Sequence, residues 1–456
     1  MVLKMNTKNF FTNKKLIYWI IFILYAILNF IFLLNHEPWR DEVHSWLMAK
    51  ELSIPELIVE SRYDGHPILW HLILMPFAKL NFPIITLNLI SYIVLLVTVW
   101  LFLFKTDVNF IIKVFATFTI PYTYIYSCIS RNYCLILLLL VIIAILYPKR
   151  HKIPILYSIP ICFLIHTHSL SWGIVAGLTI TFYFLEIYLY FKKKNTANIK
   201  HILIGLGLIV INTILVVLQL FGTSNPDYMA NSSSVVMDYT TISLILLAFC
   251  LIFTFFSGKK CLKEFVILLC GIGFQIFVYL TFYSSIMFQR QILIYVLFLF
   301  YIMILPKQNI KNFLQNSLVA FFIIFTLVCG YKEFSSYLTQ DFSKPYSCAK
   351  EMASYINENI PDNTTILIDN SVIGQTIIPY LKPSISFYDI EHNKYVDCAN
   401  TSHDYKKLAE VLSNSDMLSG NYIIICNNSF DLGQENLIYY TDSAIINENY
   451  YLYYFN

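Results

Sequence analysis

Charge is scarce in this chain. Only 13% of its 456 residues are Asp, Glu, Lys or Arg, against 57% hydrophobic. A soluble fold of this size has no way to hide so much apolar surface, so the composition excludes a water-soluble globular protein and implies an integral membrane protein. Also missing are a heptad run, a Gly-rich phosphate loop and a short internal repeat. The 10 cysteines form no CxxC pair, and most lie in apolar runs where they act as small hydrophobes. Cys348, Cys398 and Cys426 stand in a polar tail, but an odd trio does not define a disulfide framework. No small-residue cleavage site follows the first hydrophobic stretch, 16–34, which therefore reads as a retained first span rather than a removed signal peptide.

Further spans are expected near 84–104, 110–127, 132–147, 153–170, 171–191, 201–221, 241–256, 265–285, 288–305 and 315–332, about eleven with the first. Alternate connections are basic. They carry Lys14 and Lys15; Lys105 and Lys113; Lys149, Arg150 and Lys152; Lys192, Lys193 and Lys194; Lys259, Lys260 and Lys263; and Lys307 and Lys311. By the positive-inside rule the N-terminus is cytoplasmic, and the 35–82 loop, Arg131, His166, His168 and Arg290 lie on the outer side. In the polar tail a helix is expected over 347–359 and another near 405–413. Strands are expected over 365–369, 385–388 and 422–426, with closing strands after 437. The expected fold is an α-helical polytopic membrane protein with a small C-terminal α/β domain. Residues 1–332 form the transmembrane domain, including the first outer loop 35–83 with its juxtamembrane helices. Residues 333–456 form the extracytoplasmic domain.

The first outer loop gathers the chemistry. Glu37, Asp41, Glu42, Glu51, Glu56, Glu60 and Asp64 alternate with Trp39, Trp46, Trp70 and aliphatic runs, a composition suited to helices lying in a membrane interface. Pro38 suits a first helical turn, where Asp41 and Glu42 meet the positive end of the helix dipole. At helical spacing Val43, Trp46, Leu47 and Lys50 share one face, and Asp41, His44, Ser45 and Met48 another. Adjacent helical residues point about 100° apart, so one acid serves as a base and the other organises the loop. Asp41, on the face of His44, is the expected base; two solvated acids at a helix start are the alternative. The stretch Asp64-Gly65-His66-Pro67 reads as a turn opening a second helix. His36, His44, His66 and His71 beside these acids could hold a divalent metal, although no ligand spacing is diagnostic. Arg131 and Arg290, at the outer mouths of spans, either snorkel to head groups or grip an anionic oxygen.

Two motifs carry a resemblance. Arg40-Asp41-Glu42 and Gly65-His66-Pro67 in the first outer loop, with Arg131-Asn132-Tyr133 near a span mouth, resemble the GT-C superfamily of membrane glycosyltransferases. The likeness is nearest to glycosyltransferase family 39, which includes protein mannosyltransferases and the aminoarabinose transferase of lipid A. In layout it covers roughly the first 330 residues. Many relatives carry two prolines after the histidine, where this chain has Pro67 and Ile68.

The resemblance implies an inverting glycosyltransferase of the bacterial cell envelope, with a polyprenyl-phosphate sugar as donor. The acceptor would be an outer-face glycan, lipid or protein, and the bilayer itself is a partner; no nucleic acid is expected. Asp41 and Glu42 are the catalytic candidates. Arg40, His44, Asp64, His66, Arg131, Tyr133, His168 and Arg290 are the substrate-binding candidates. No cofactor is required by this reading, and a divalent metal stays possible. Two rivals remain: a multi-span transporter or flippase, and a polymerase or ligase of lipid-linked glycans. A transporter would place acids at mid-membrane depth. Here the spans are almost free of them, with Glu186 near a span end.

Overall fold

The computed structural model of the chain describes residues 14–64, 66–119, 121–194, 196–220, 233–258, 260–281, 292–306, 310–368, 374–389, 394–396, 422–427, 434–446 and 448–455. Its helices are α1 (Lys14–Asn35), α2 (Arg40–Glu51), α3 (Ile54–Asp64), α4 (Leu69–Lys79), α5 (Ile85–Lys105), α6 (Phe110–Thr117), α7 (Tyr133–Leu146) and α8 (Pro154–Ile165). They continue with α9 (Ser169–Phe191), α10 (Ile199–Leu220), α11 (Ser233–Phe256), α12 (Leu262–Thr281), α13 (Leu293–Ile304), α14 (Asn312–Ser343) and α15 (Ala349–Asn359).

Among the described residues, six helices are long and apolar enough to cross a membrane: α1, α5, α9, α10, α11 from Tyr239, and α12. At 1.5 Å per residue, about 20 residues match the roughly 30 Å hydrocarbon layer. Apolar side chains such as Ile23, Leu215, Leu251 and Phe255 point outward on these helices, as a lipid solvent requires. The protein is membrane-embedded. The other expected spans fall on shorter apolar helices, including α7, α8 and α13. Residues 110–127 form a short α6 followed by a π-helical turn, Pro121–Ile125, rather than one continuous span.

The chain divides into two compact units. The first comprises Met1–Phe32, Ser91–Cys128 and Asn132–Phe334. Its helices meet through small residues. A side chain at Gly173 of α9 would fall 2.5 Å from the Cys270 carbonyl oxygen of α12, and one at Gly177 would fall 2.8 Å from Ile267 Cα. This spacing of glycines lets two backbones approach where no hydrophobic effect drives them together. Polar ties add to it: Ser127 Oγ donates to Asn29 Oδ1 (2.6 Å), and the Tyr25 hydroxyl donates to the Tyr122 carbonyl.

The second unit comprises Leu33–Ile90, Ile129–Arg131 and Ser335–Asn456. Its sheet has the order β3-β2-β1-β4-β6-β5, with β1 (Thr365–Ile368), β2 (Ser386–Asp389), β3 (Lys394–Tyr395), β4 (Tyr422–Cys426), β5 (Leu437–Tyr440) and β6 (Tyr451–Phe455). The three central strands, β2, β1 and β4, are parallel, and the outer ones pair antiparallel. Ile366, Ile368, Phe387, Ile423 and Ile425 share a core with Met352 and Ile356 of α15. Leu367, Tyr388, Ile424 and Tyr453 make a second cluster, as alternation along the strands demands. The helix expected near 405–413 lies outside the described residues.

Grouping residues 33–90 with the C-terminal stretch changes the picture of the first loop. From Glu42 to Ala49 every residue of α2 is buried, so its expected division into an apolar and a polar face does not hold. It packs against α4 and the 3-10 turn Gln375–Tyr380 instead of lying as an amphipathic helix.

Candidate active site

Helix α2 begins after an extended N-cap residue, Trp39, so Pro38 stands just outside the first turn rather than within it. Trp39 offers no side-chain acceptor for the helix. Glu42, at the third helical position, supplies the other half of the capping pattern by accepting the Trp39 N–H (3.2 Å). Likewise Pro67 lies before α4, whose N-cap is Ile68.

Glu42 is completely enclosed, yet both carboxylate oxygens are in use. Oε1 accepts from the Ser130 N–H (2.6 Å) and from Asn88 Nδ2 (3.0 Å). Oε2 accepts from the Trp39 N–H and from His36 Nε2 (2.9 Å). Four donors to one buried carboxylate compensate the cost of taking it out of water. The other nitrogen of His36, Nδ1, lies 3.1 Å from Asp341 Oδ2 at the end of α14. Burial disfavours the imidazolium, but Glu42 and Asp341 on either side outweigh it and raise His36 to about 10.

Asp41 has different surroundings. Its Oδ2 lies 2.5 Å from Arg131 Nη1, and its Oδ1 lies 3.2 Å from Arg40 Nε. The Asp41 side chain is 21% exposed and that of Arg131 11%. One turn along, Ser45 Oγ donates to the Asp41 carbonyl (3.0 Å). Thus one acid of the pair is sealed in a hydrogen-bond network, and its neighbour faces solvent between two guanidinium groups. That arrangement can hold an anion on the arginines with a carboxylate beside it, which is what a phosphate-leaving reaction with an external hydroxyl requires.

His44 lies one turn beyond Asp41 with Nδ1 3.2 Å from Gln375 Oε1, and its buried Nε2 has no hydrogen-bond partner among the described residues. Two acids cap helices across large sequence separations. Glu448 Oε1 accepts the Arg40 N–H at the start of α2 (2.9 Å), and Glu37 Oε1 accepts the Lys350 N–H at the start of α15 (2.8 Å). Burial pushes both carboxyls up to about 7, against the pull of those N–H donors.

No protein-family model and no curated protein matches this chain. The reading of the site therefore stands on its residues.

Of the residues singled out by sequence, Arg40, Asp41, Glu42, His44 and Arg131 come together in the second unit. His66 is buried in the same unit, at the approach to α4. Asp64 closes α3 in that unit; the position of its side chain is not described. Tyr133 and His168 form a pair of their own in the first unit, with the hydroxyl 3.2 Å from Nε2 and the rings 5.1 Å apart. Arg290 and Gly65 lie outside the described residues. Among the described residues, no three His, Cys, Asp or Glu side chains gather as a metal site. Among the loop histidines, His36 contacts two carboxylates and His44 contacts Gln375.

Sequence reasoning missed Asn88, Ser130, Asp341, Gln375 and Glu448. Each is an ordinary polar residue, and all but Ser130, which adjoins Arg131, lie far in sequence from the quoted motifs. The one local signal was Glu42 at a helix N3 position after a segment beginning His36-Glu37.

Proposed function

We propose that the chain is an inverting glycosyltransferase that moves a sugar from a polyprenyl-phosphate donor to an acceptor hydroxyl at the outer face of the membrane. In this reading the four shorter apolar helices and the broken 110–127 stretch also cross the membrane, which gives about eleven spans. The N-terminus is then cytoplasmic and the C-terminal sheet extracytoplasmic. The observation that carries the proposal is the Asp41 carboxylate, accessible and flanked by Arg40 and Arg131, in a loop that follows an apolar helix directly in sequence.

The donor phosphate engages the arginines, whose planar guanidinium groups hold two oxygens at once. Its arrival competes with Asp41 for Arg131 and leaves the carboxylate next to the incoming acceptor. Asp41 takes the hydroxyl proton as the oxygen attacks the anomeric carbon opposite the phosphate, which inverts that centre. Polyprenyl phosphate leaves with its bonding electrons, its charge met by the arginines in place of a general acid. Glu42, enclosed and engaged by four donors, holds the loop.

The first experiment is a titration of the purified protein in detergent with undecaprenyl phosphate, comparing wild type with Arg131→Ala. Saturable binding that weakens in the variant supports the reading. A well-folded wild type that does not bind overturns it and shifts the weight to a transporter.

A further inference from the structure

Asp341, His36 and Glu42 form a buried series in which a ring stands between two carboxylates. An ionised carboxylate only accepts, so both ring nitrogens must donate and the ring carries a positive charge. The ring also packs against Tyr346 (centroids 4.9 Å apart), which shields it from water. On the far side of Glu42, Oε1 holds the N–H of Ser130, the residue immediately before Arg131. A continuous series of contacts thus runs from Asp341 through His36, Glu42 and the Ser130 peptide to the guanidinium on Asp41, all inside one unit.

We infer that His36 is a positioning residue for anion binding at Arg131: held between Glu42 and Asp341, it keeps Glu42 on the Ser130 N–H and so keeps the Arg131 guanidinium against Asp41. The physical reason is charge. Without the imidazolium, Glu42 and Asp341 each lose the donor that lies between them, and two buried acids are left with an uncompensated repulsion. Glu42 Oε2 is then left with the Trp39 N–H alone, and the carboxylate is free to turn away from its Oε1 donors. The Ser130 peptide is then released, and with it the fixed position of Arg131. Through Asp341 the C-terminal part of α14 contributes to the site without touching a ligand.

The ligand named here rests on the transferase reading, but the linkage itself is tested without one. Thermal melts of the detergent-solubilised full chain give a double-mutant cycle between Asp41→Asn and Arg131→Gln. In the wild-type background their shifts are expected to be non-additive, because the two side chains touch. In the His36→Gln background, or in Asp341→Asn should that variant fail to fold, the shifts are expected to become additive. Equal non-additivity in both backgrounds overturns the inference.

A second arm uses undecaprenyl phosphate. His36→Gln removes the charged hydrogen bond to Glu42 and is expected to weaken binding about tenfold or more. In an Arg131→Ala background His36→Gln should add no further loss, and Asp341→Glu should retain most of the affinity. Losses that multiply mean that His36 acts elsewhere. If the wild type binds no undecaprenyl phosphate while the melts lose their coupling, the transferase reading falls and the positioning link stands.

Discussion

The Arg131 guanidinium rests 2.5 Å from the Asp41 carboxylate, joining a residue just before α7 to the second residue of α2. Asp41 is partly exposed while Arg131 is almost buried, so the pair opens to solvent on its carboxylate side. An anion placed on Arg131 and a nucleophile placed on Asp41 would each replace half of it.

Asp41 and Arg131 should therefore fail differently. Asp41→Asn is expected to lower transfer by about 10²–10⁴-fold, the usual contribution of a general base, while undecaprenyl phosphate still binds. Arg131→Ala is expected to lose lipid-phosphate affinity about tenfold or more. Parallel titrations and single-turnover assays separate the two. Equal loss of binding in both variants would contradict the division of roles.

Stability of the second unit should fall as pH rises. Glu37 and Glu448 bind protons more tightly folded than unfolded, since burial raises them from 4.5 to about 7. Their contribution is complete below pH 4.5 and is lost as pH passes through 7. His36, raised from 6.5 to about 10 by its two carboxylates, adds a second decline between those values. Melting temperatures measured from pH 5 to 10 check the slope. Glu448→Gln should flatten its lower part, because the amide still accepts the Arg40 N–H but no longer titrates.

Substituting Gly177 by Leu should separate α9 from α12. The close approach of Ile267 Cα leaves no room for a side chain, and relief requires backbone movement costing about 1–3 kcal/mol or more. Gly207 and Gly273 have open space around them, and Ala at either position should leave melting nearly unchanged. Thermal unfolding in detergent reads both.

Removing the reciprocal caps should cost less than breaking the buried network. Glu37→Ala deletes one acceptor at the start of α15, worth about 0.5–2 kcal/mol. Glu42→Ala strands His36 and three further donors in an enclosed space, a loss of about 3–5 kcal/mol. Comparing the two melting temperatures tests that ranking.

Much of the architecture was legible in the sequence. Runs of Ile, Leu and Phe at membrane-spanning length show directly as α1, α5 and α10, because a lipid solvent makes the signal continuous. Strands β1, β2 and β4 were visible for a similar reason, being short apolar runs bounded by polar residues. The surroundings of Asp41 and Glu42 were not legible. Periodicity assigned α2 a polar face, whereas tertiary packing against α4 and the Gln375–Tyr380 turn buries it nearly all round. Nothing local to His36 announces Asp341, and nothing local to Arg40 announces Glu448. Such contacts follow from where the chain returns, which residue spacing does not encode.

That return has a consequence for biosynthesis. The N-terminal turn of α2 takes its capping acceptor from Glu448, 408 residues downstream of Arg40. The apolar helices can enter the bilayer as they emerge from the ribosome, but the Arg40 N–H has no capping acceptor until almost the whole chain has been made. The nascent protein is thus inserted long before the start of α2 is capped, and a chain stopped short of Glu448 would reach the membrane with that N–H lacking its acceptor.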